Sequence, residues 1–180
     1  YMESLKVEGT SLRISEVMSS NVTTLTDDYG EPSDWVEIYN SGSEAVNLKG
    51  YGLSDKSNKI MKWTFPEVTI QPGQYLLIYC SGKGDAQQNG DTTHLHSNFR
   101  ISNYQETIVL ASNKGQVLDT VDVPQLDADS SYALNLSTNT WSITAKATPG
   151  YANTDEGFAQ FSQQQAAPKS SVQINEAMLY

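Results

Sequence analysis

The stretch "DWVEIYNSGSEAVNLKGYGLSD", Asp34 to Asp55, decides the fold class. In "DWVEIYN" the residues alternate, with Trp35, Glu37 and Tyr39 on one face and Val36 and Ile38 on the other, which is the two-residue period of a pleated strand. "NSGSE" breaks the run with small and polar turn residues, and "EAVNL" and "YGLSD" resume it as two further extended segments. The same grammar continues in both directions. "LRISEVM", "IMKWTF", "EVTI", "QYLLIYC", "ETIVLAS", "QVLDTVDV", "SYALNL" and "TWSIT" are short runs rich in β-branched and aromatic residues. "QPGQ", "SGKGD" and "SNKGQ" place glycine where a tight reversal needs it. Almost nothing falls at helical spacing. Short strands with turns this frequent predict an all-β sandwich or barrel.

Within that pattern "SNKGQ" reads as the loop of a hairpin between "ETIVLAS" and "QVLDTVDV", with Gly115 as its left-handed residue. In the second strand Val117, Asp119, Val121 and Val123 share a face, so Asp119 requires either a buried partner or a bulge that re-aims it. Trp35, Ile38, Leu53, Leu77, Ile108 and Leu110 are the expected core.

At 180 residues the chain suits one domain with flanks, large enough to need no disulfide. Its single cysteine, Cys80, lies in the apolar run "YLLIYC" and is expected to be a buried, inert thiol. A net charge of −10, with 21 acidic against 11 basic residues and no basic cluster, excludes the electrostatic footprint of a nucleic-acid or anionic-membrane binder. No apolar run approaches the roughly 20 residues of a spanning helix.

The chain repeats itself. "SLRISEVMSS" from Ser11 is echoed by "SVQINEAMLY" from Ser171, with Ser11, Ile14, Glu16 and Met18 matched by Ser171, Ile174, Glu176 and Met178. Between them "TDEGFAQFSQQQAAPKS" is rich in Gln, Ala and Ser with scant apolar periodicity. The expected organisation is a flank at 1–11, a β domain at 12–153, a linker at 154–170 and, at 171–180, the first strand of a following repeat. The chain is accordingly read as a fragment of a longer protein.

"RISEVMSSN", "DWVEIYNSGSEAVNLKGYGLSD", "FPEVTIQPGQYLLIY", "HLHSNFRIS", "ETIVLASNKGQVLDTVDVP" and "WSITAKATPGYAN" occur in the order and approximate spacing of the lamin tail domain in its bacterial form, a resemblance that runs from about Leu12 to Asn153. Trp35, Glu37, Asn40, Leu48, Gly50, Leu53 and Asp55 carry its most specific part. Tyr104-Gln105 and Ala133-Leu134 stand where the family tends to have glycine or Gly-Arg, which blurs two loops. The resemblance implies an immunoglobulin-like antiparallel β-sandwich. It also implies an accessory module of an exported or surface-displayed bacterial protein, and it accounts for the repeat as the start of a tandem copy.

Several residues are candidates for chemistry. His94 and His96 in "THLHS" would share one face of a strand as a metal pair, yet no third ligand is near in sequence. Glu16 and Glu37 are a potential acid/base pair, read in preference as carboxylates that hold strand register. The loop "DDYGEPSD" groups Asp27, Asp28, Glu31 and Asp34, a composition that suits calcium without the spacing of a known calcium loop. Among ten Tyr and three Trp, Trp35 and Trp63 are expected in the core and Trp141 at the surface. No catalytic, cofactor-binding or metal residue is assigned. The expectation is a non-catalytic structural or protein-interaction module, located outside the cell by the resemblance and contacting other domains of its parent or surface proteins. It inserts into no membrane and self-associates weakly through residues 171–180. The alternative is a carbohydrate-binding module, with a glycan as ligand, that serves a linked hydrolase.

Overall fold

The computed structural model describes residues 10–84 and 92–167, so residues 1–9 and the expected tail strand at 171–180 lie outside the described residues. The elements are β1 (Leu12–Met18), β2 (Trp35–Asn40), β3 (Val46–Asn47), β4 (Gly52–Ser54), β5 (Trp63–Thr64), β6 (Thr69–Ile70), β7 (Tyr75–Tyr79), β8 (Leu95–His96), β9 (Glu106–Ala111), β10 (Val117–Val123), β11 (Ser131–Asn135), β12 (Thr140–Thr144) and α1 (Asp155–Ala166). A six-stranded sheet runs β12-β11-β1-β2-β7-β8, a four-stranded sheet runs β10-β9-β4-β5, and β3 pairs with β6. This is the expected immunoglobulin-like all-β sandwich. Its pairings are antiparallel apart from the short parallel β7–β8 pair, in which Ile78 faces Leu95.

The period-2 face of β2 explains the core. Val36 and Ile38 point between the sheets with Leu12, Ile14, Val17, Leu53, Ile78, Ile108, Leu110 and Val121. Each such side chain removed from water contributes about 1.5–3 kcal/mol. Of the six residues expected in the core, Trp35, Ile38, Leu53, Ile108 and Leu110 are fully buried, while Leu77, on the outer face with Trp35, is half-buried.

β1 does not keep its period. A bulge between Ile14 and Glu16 inserts Ser15 opposite β2, so Leu12, Ile14 and Val17 reach the inter-sheet core while Glu16 and Met18 turn to the outer face. There Met18, Trp35, Tyr79 and Ala147 form a second small core with Leu25 and Leu77. A second bulge, between Val117 and Asp119, lies in the β9–β10 hairpin, whose loop closes with Gly115 at φ +73°. Both readings of Asp119 hold at once. It sits beside the bulge, and its buried carboxylate accepts from the Ile14 amide at 2.8 Å and from Arg13 Nε at 3.2 Å, tying β10 to β1.

The expected linker at 154–170 is instead helical over its first part. Thr154 caps α1, accepting from the Gly157 amide at 3.0 Å, and Asp155 and Glu156 occupy the positive end of the helix. Gly157 and Phe161 are the buried residues of α1, so there is no apolar stripe for periodicity to detect. Tertiary contact decides the state. Phe161 is 6% exposed, and Lys146 Nζ donates to Asp155 at 2.8 Å, which fastens the start of the helix beside the end of β12.

Candidate functional site

Two polar clusters hold the residues capable of chemistry. The first lies on the outer face of the six-stranded sheet. Glu16 and Glu37 are directly opposite in the β1–β2 register, and both are 0% exposed. The closing segment Ala147–Asn153 covers them. Glu16 accepts from Ser131 Oγ at 2.5 Å and from the Thr148 amide, shared between its two oxygens at 3.2 Å. Glu37 accepts from the Gly150 amide at 2.6 Å and meets Ser15 Oγ at 2.8 Å. Asn153 completes the clasp, its Nδ2 donating to the carbonyls of Ser15 at 2.7 Å and Leu134 at 2.9 Å.

These contacts locate a proton. With both Nδ2 hydrogens spent on carbonyls, Asn153 Oδ1 can only accept, and Thr148 Oγ1 lies 2.5 Å from it. Thr148 Oγ1 is also 2.9 Å from Glu16 Oε2, but one hydroxyl hydrogen cannot serve two acceptors. The Glu16 contact is satisfied when the carboxyl carries the proton. Burial acts in the same direction, pushing Glu16 from its usual 4.5 up to about 7 against the hydrogen bonds of Ser131 and Thr148. Glu37 is raised well above its usual value, first by burial and then by the charge of Glu16. The pair is therefore a proton-holding clasp. Enclosed and saturated by its own chain, it offers no carboxylate to a substrate, which accords with the register-holding reading of these residues.

The second cluster joins the acidic loop to β8. Asp27 accepts from the Tyr29 and Glu31 amides at 2.9 Å and from Ser33 Oγ at 2.7 Å. Burial raises its pKa, but these bonds and the nearby Lys83 ammonium outweigh burial and hold it below its usual value. Asp28 meets His96 Nε2 at 2.6 Å, Glu31 accepts from Lys83 Nζ at 2.6 Å, and Asp34 accepts from the Asn21 amide at 3.0 Å. The carboxylates are spent on the protein's own donors, with Asp27 and Glu31 sharing the Lys83 ammonium, and among the described residues no three or more ligating side chains are grouped to hold a metal. The two histidines part company as well. His96 is fully buried between the rings of Tyr29 and Tyr79, whereas His94 is half-buried with Thr93 Oγ1 at 3.0 Å.

His96 Nδ1 lies 2.8 Å from Ser81 Oγ, giving a Ser81–His96–Asp28 string that sequence reading did not foresee, since the three residues come from separate segments. Its form resembles a nucleophile–base–acid relay. Its surroundings differ from one. Ser81 is 5% exposed, and the neighbouring Lys83 amide donates to Ser81 Oγ itself at 3.2 Å rather than into a space where an oxyanion could form. Nearby, burial raises the pKa of Cys80, 1% exposed, and keeps it a neutral thiol as expected. Asp129 was also missed. At φ +58°, it accepts from the Val22, Thr23 and Thr24 amides and from the hydroxyls of Thr23 and Thr24, pinning the loop after β1. The bonds that hold it well below its usual carboxylate range outweigh the burial that would raise it.

The model of the Lamin Tail Domain family matches residues 8–125. The chain belongs to the lamin tail domain family. The match spans β1 to β10, and no curated protein matches the chain. The lamin tail domain is a non-catalytic immunoglobulin-like domain, and the two polar clusters of this one are wired as supports: one clasps the end of the domain to its central strands, the other ties β8 to the acidic loop. In this lamin tail domain β11, β12 and the Ala147–Asn153 clasp are part of the same fold as the matched region, because β11 pairs with β1 and the clasp bonds to Glu16 and Glu37.

Proposed function

We propose that this lamin tail domain serves as a non-catalytic structural or protein-interaction module of a larger, exported, multidomain bacterial protein. The observation that carries this reading is the burial of its polar chemistry: Glu16, Glu37, Asp119, His96 and Ser81 are all covered by the chain and spent on holding strands and loops together. α1 supports it further, because Phe161 is buried and Gln164 meets Tyr151 Oη, so the helix is docked as part of the fold rather than a slack tether.

The carbohydrate-binding alternative depended on Trp141. That residue is half-buried, and one ring face is stacked on Tyr132 with centroids 5.1 Å apart at 24°. Its packing against the main core favours a structural use over a stacking platform for sugars. A glycan array and polysaccharide-retention assay on intact protein and Trp141→Ala decides between them. The module reading expects no retention by either. Retention by the intact protein that Trp141→Ala abolishes overturns it in favour of a glycan-binding module.

A further inference from the structure

The geometry points to a pH-gated strap: residues 147–166 close over Glu16 and Glu37 while that pair holds its protons, and come away as one unit from an intact sandwich when both carboxyls are ionised. The two parts are separable. The main core between the sheets draws all its buried residues from positions 12–126, and the partly buried side chains packed on it end at Trp141. Nothing in the strap belongs to that core. Ala147 enters the small outer core with Met18, Trp35 and Tyr79, and Phe161, the buried anchor of α1, belongs to neither cluster. Among the described residues the strap's hydrogen bonds to the sheet come from Thr148, Gly150 and Asn153, and those of Thr148 and Gly150 end on the carboxyls themselves. Within itself the strap is joined. Tyr151 Oη donates to Gln164 at 3.2 Å, and Gly157 sits so close to the Ala152 carbonyl that a Cβ there would collide with it.

Release of the strap is the least disruptive way to bring water to the pair. Glu16 and Glu37 stand opposite each other in register, both fully buried, and two such charges repel strongly where screening is poor. No cation offsets them. Among the described residues no Lys, Arg or His pairs with either carboxyl: Arg13 of β1 is turned to Asp119 and Asn139, and Lys146, at the foot of the strap, is paired with Asp155 of α1. Glu156 of α1 is exposed, and the Tyr151 hydroxyl is turned to Gln164. From β2 and β7 the titratable neighbours are Tyr39 and Tyr75, with rings 4.6 Å apart; Tyr75 is pushed up to about 12, first by burial, and stays neutral while the carboxyls titrate. The Thr148 and Gly150 amides and the Ser131 and Ser15 hydroxyls favour the ionised forms, but burial outweighs them. Opening brings a further gain. The buried Trp35 Nε1 finds no acceptor in the protein, and lifting Ala147 lets water reach its core.

Linkage sets the sign. A Glu16 carboxyl at about 7 when covered and at its usual 4.5 when open holds the strap fully below pH 4.5 and progressively less as pH rises through 7. Glu16 alone therefore raises the released fraction about tenfold between pH 6 and pH 9, and Glu37 adds in the same direction.

The test is amide hydrogen exchange on the full chain at pH 6 and pH 9, expressed as protection relative to the free-peptide rate at each pH. The expected result is that protection in α1 falls by at least about tenfold and at pH 9 lies well below that of β2 and β9, the mark of a local opening. Carboxyl-carbon NMR of the same chain should place the midpoint of that fall on the ionisation of Glu16 and Glu37. With Glu16→Gln and Glu37→Gln combined, α1 should be equally protected at both pH values. Equal protection of α1, β2 and β9 at pH 9 overturns the inference, because the sandwich would then be opening as a whole. So does α1 protection in the parent chain that does not change with pH. A midpoint that misses the carboxyl titration overturns it whether or not the double variant folds, and a pH dependence that survives in the folded double variant overturns it by placing the gate on another group.

Discussion

At the scale of single residues the decisive pair is Glu16 and Glu37. Strict alternation along "LRISEVM" would put Glu16 on the face of Ile14, whereas the Ser15 bulge moves it to the outer face opposite Glu37. The two carboxylates were legible as a candidate pair, but the bulge that sets them directly opposite each other was not. Both carboxyls have folded pKa values raised above the unfolded ones, so the stability they contribute is complete below about pH 4.5 and is lost as pH rises, through about 7 for Glu16, with Glu37 acting in the same direction. Asp27 and Asp129, whose values are lowered, act in the opposite sense, and the stability they contribute is lost as pH falls below their usual 3.8. The thermal midpoint should therefore be highest near pH 4 and fall by roughly 5–10 °C by pH 8, as scanning calorimetry across pH will show. Gln keeps an acceptor for Ser131 and a donor for Thr148 Oγ1 and is uncharged at every pH. Glu16→Gln should thus flatten that slope and be at least as stable as the parent at pH 8, whereas Glu16→Ala should cost about 2–4 kcal/mol by leaving buried donors unpaired. An unchanged slope in Glu16→Gln would show that the proton sits elsewhere.

At the scale of elements, strands were readable and the helix was not. "WVEIYN", "ETIVLA" and "VLDTVDV" carry enough alternation and β-branching to declare themselves, while β8 is only two residues long and α1 has two buried positions in twelve. α1 offers a test in which local propensity and tertiary contact predict opposite signs. In an exposed helix Gly→Ala stabilises by about 1 kcal/mol. A Cβ at Gly157 would lie 1.8 Å from the Ala152 carbonyl oxygen, inside the turn that leads from the clasp into the helix. Gly157→Ala should therefore destabilise, and a rise in denaturation midpoint would show that the helix is not seated as described. Phe161→Ala should cost about 3 kcal/mol, measurable by urea unfolding, since the ring is 6% exposed. A cost near zero would restore the linker reading.

At the scale of the whole molecule the domain extends beyond both the family match and the boundary expected from composition. A chain cut after residue 125 keeps β1 to β10 but loses β11, β12 and the clasp, leaving one side of β1 unpaired and two buried carboxyls without their donors. It should fail to give a cooperative melt, whereas residues 10–167 should melt as a single unit; equal melts from the two would show that the clasp is dispensable. Composition, alternation and turn residues sufficed for the all-β class, the alternation of β2, the β9–β10 hairpin and the buried thiol, because each depends on neighbours close in the chain. The Glu16–Glu37 clasp, the Ser81–His96–Asp28 string, the five bonds to Asp129 and the seating of α1 join residues far apart in sequence or depend on a bulge. Those were decided only when long-range strand pairing brought the groups together, because a buried polar side chain is defined by the partner that satisfies it and not by its own neighbours along the chain.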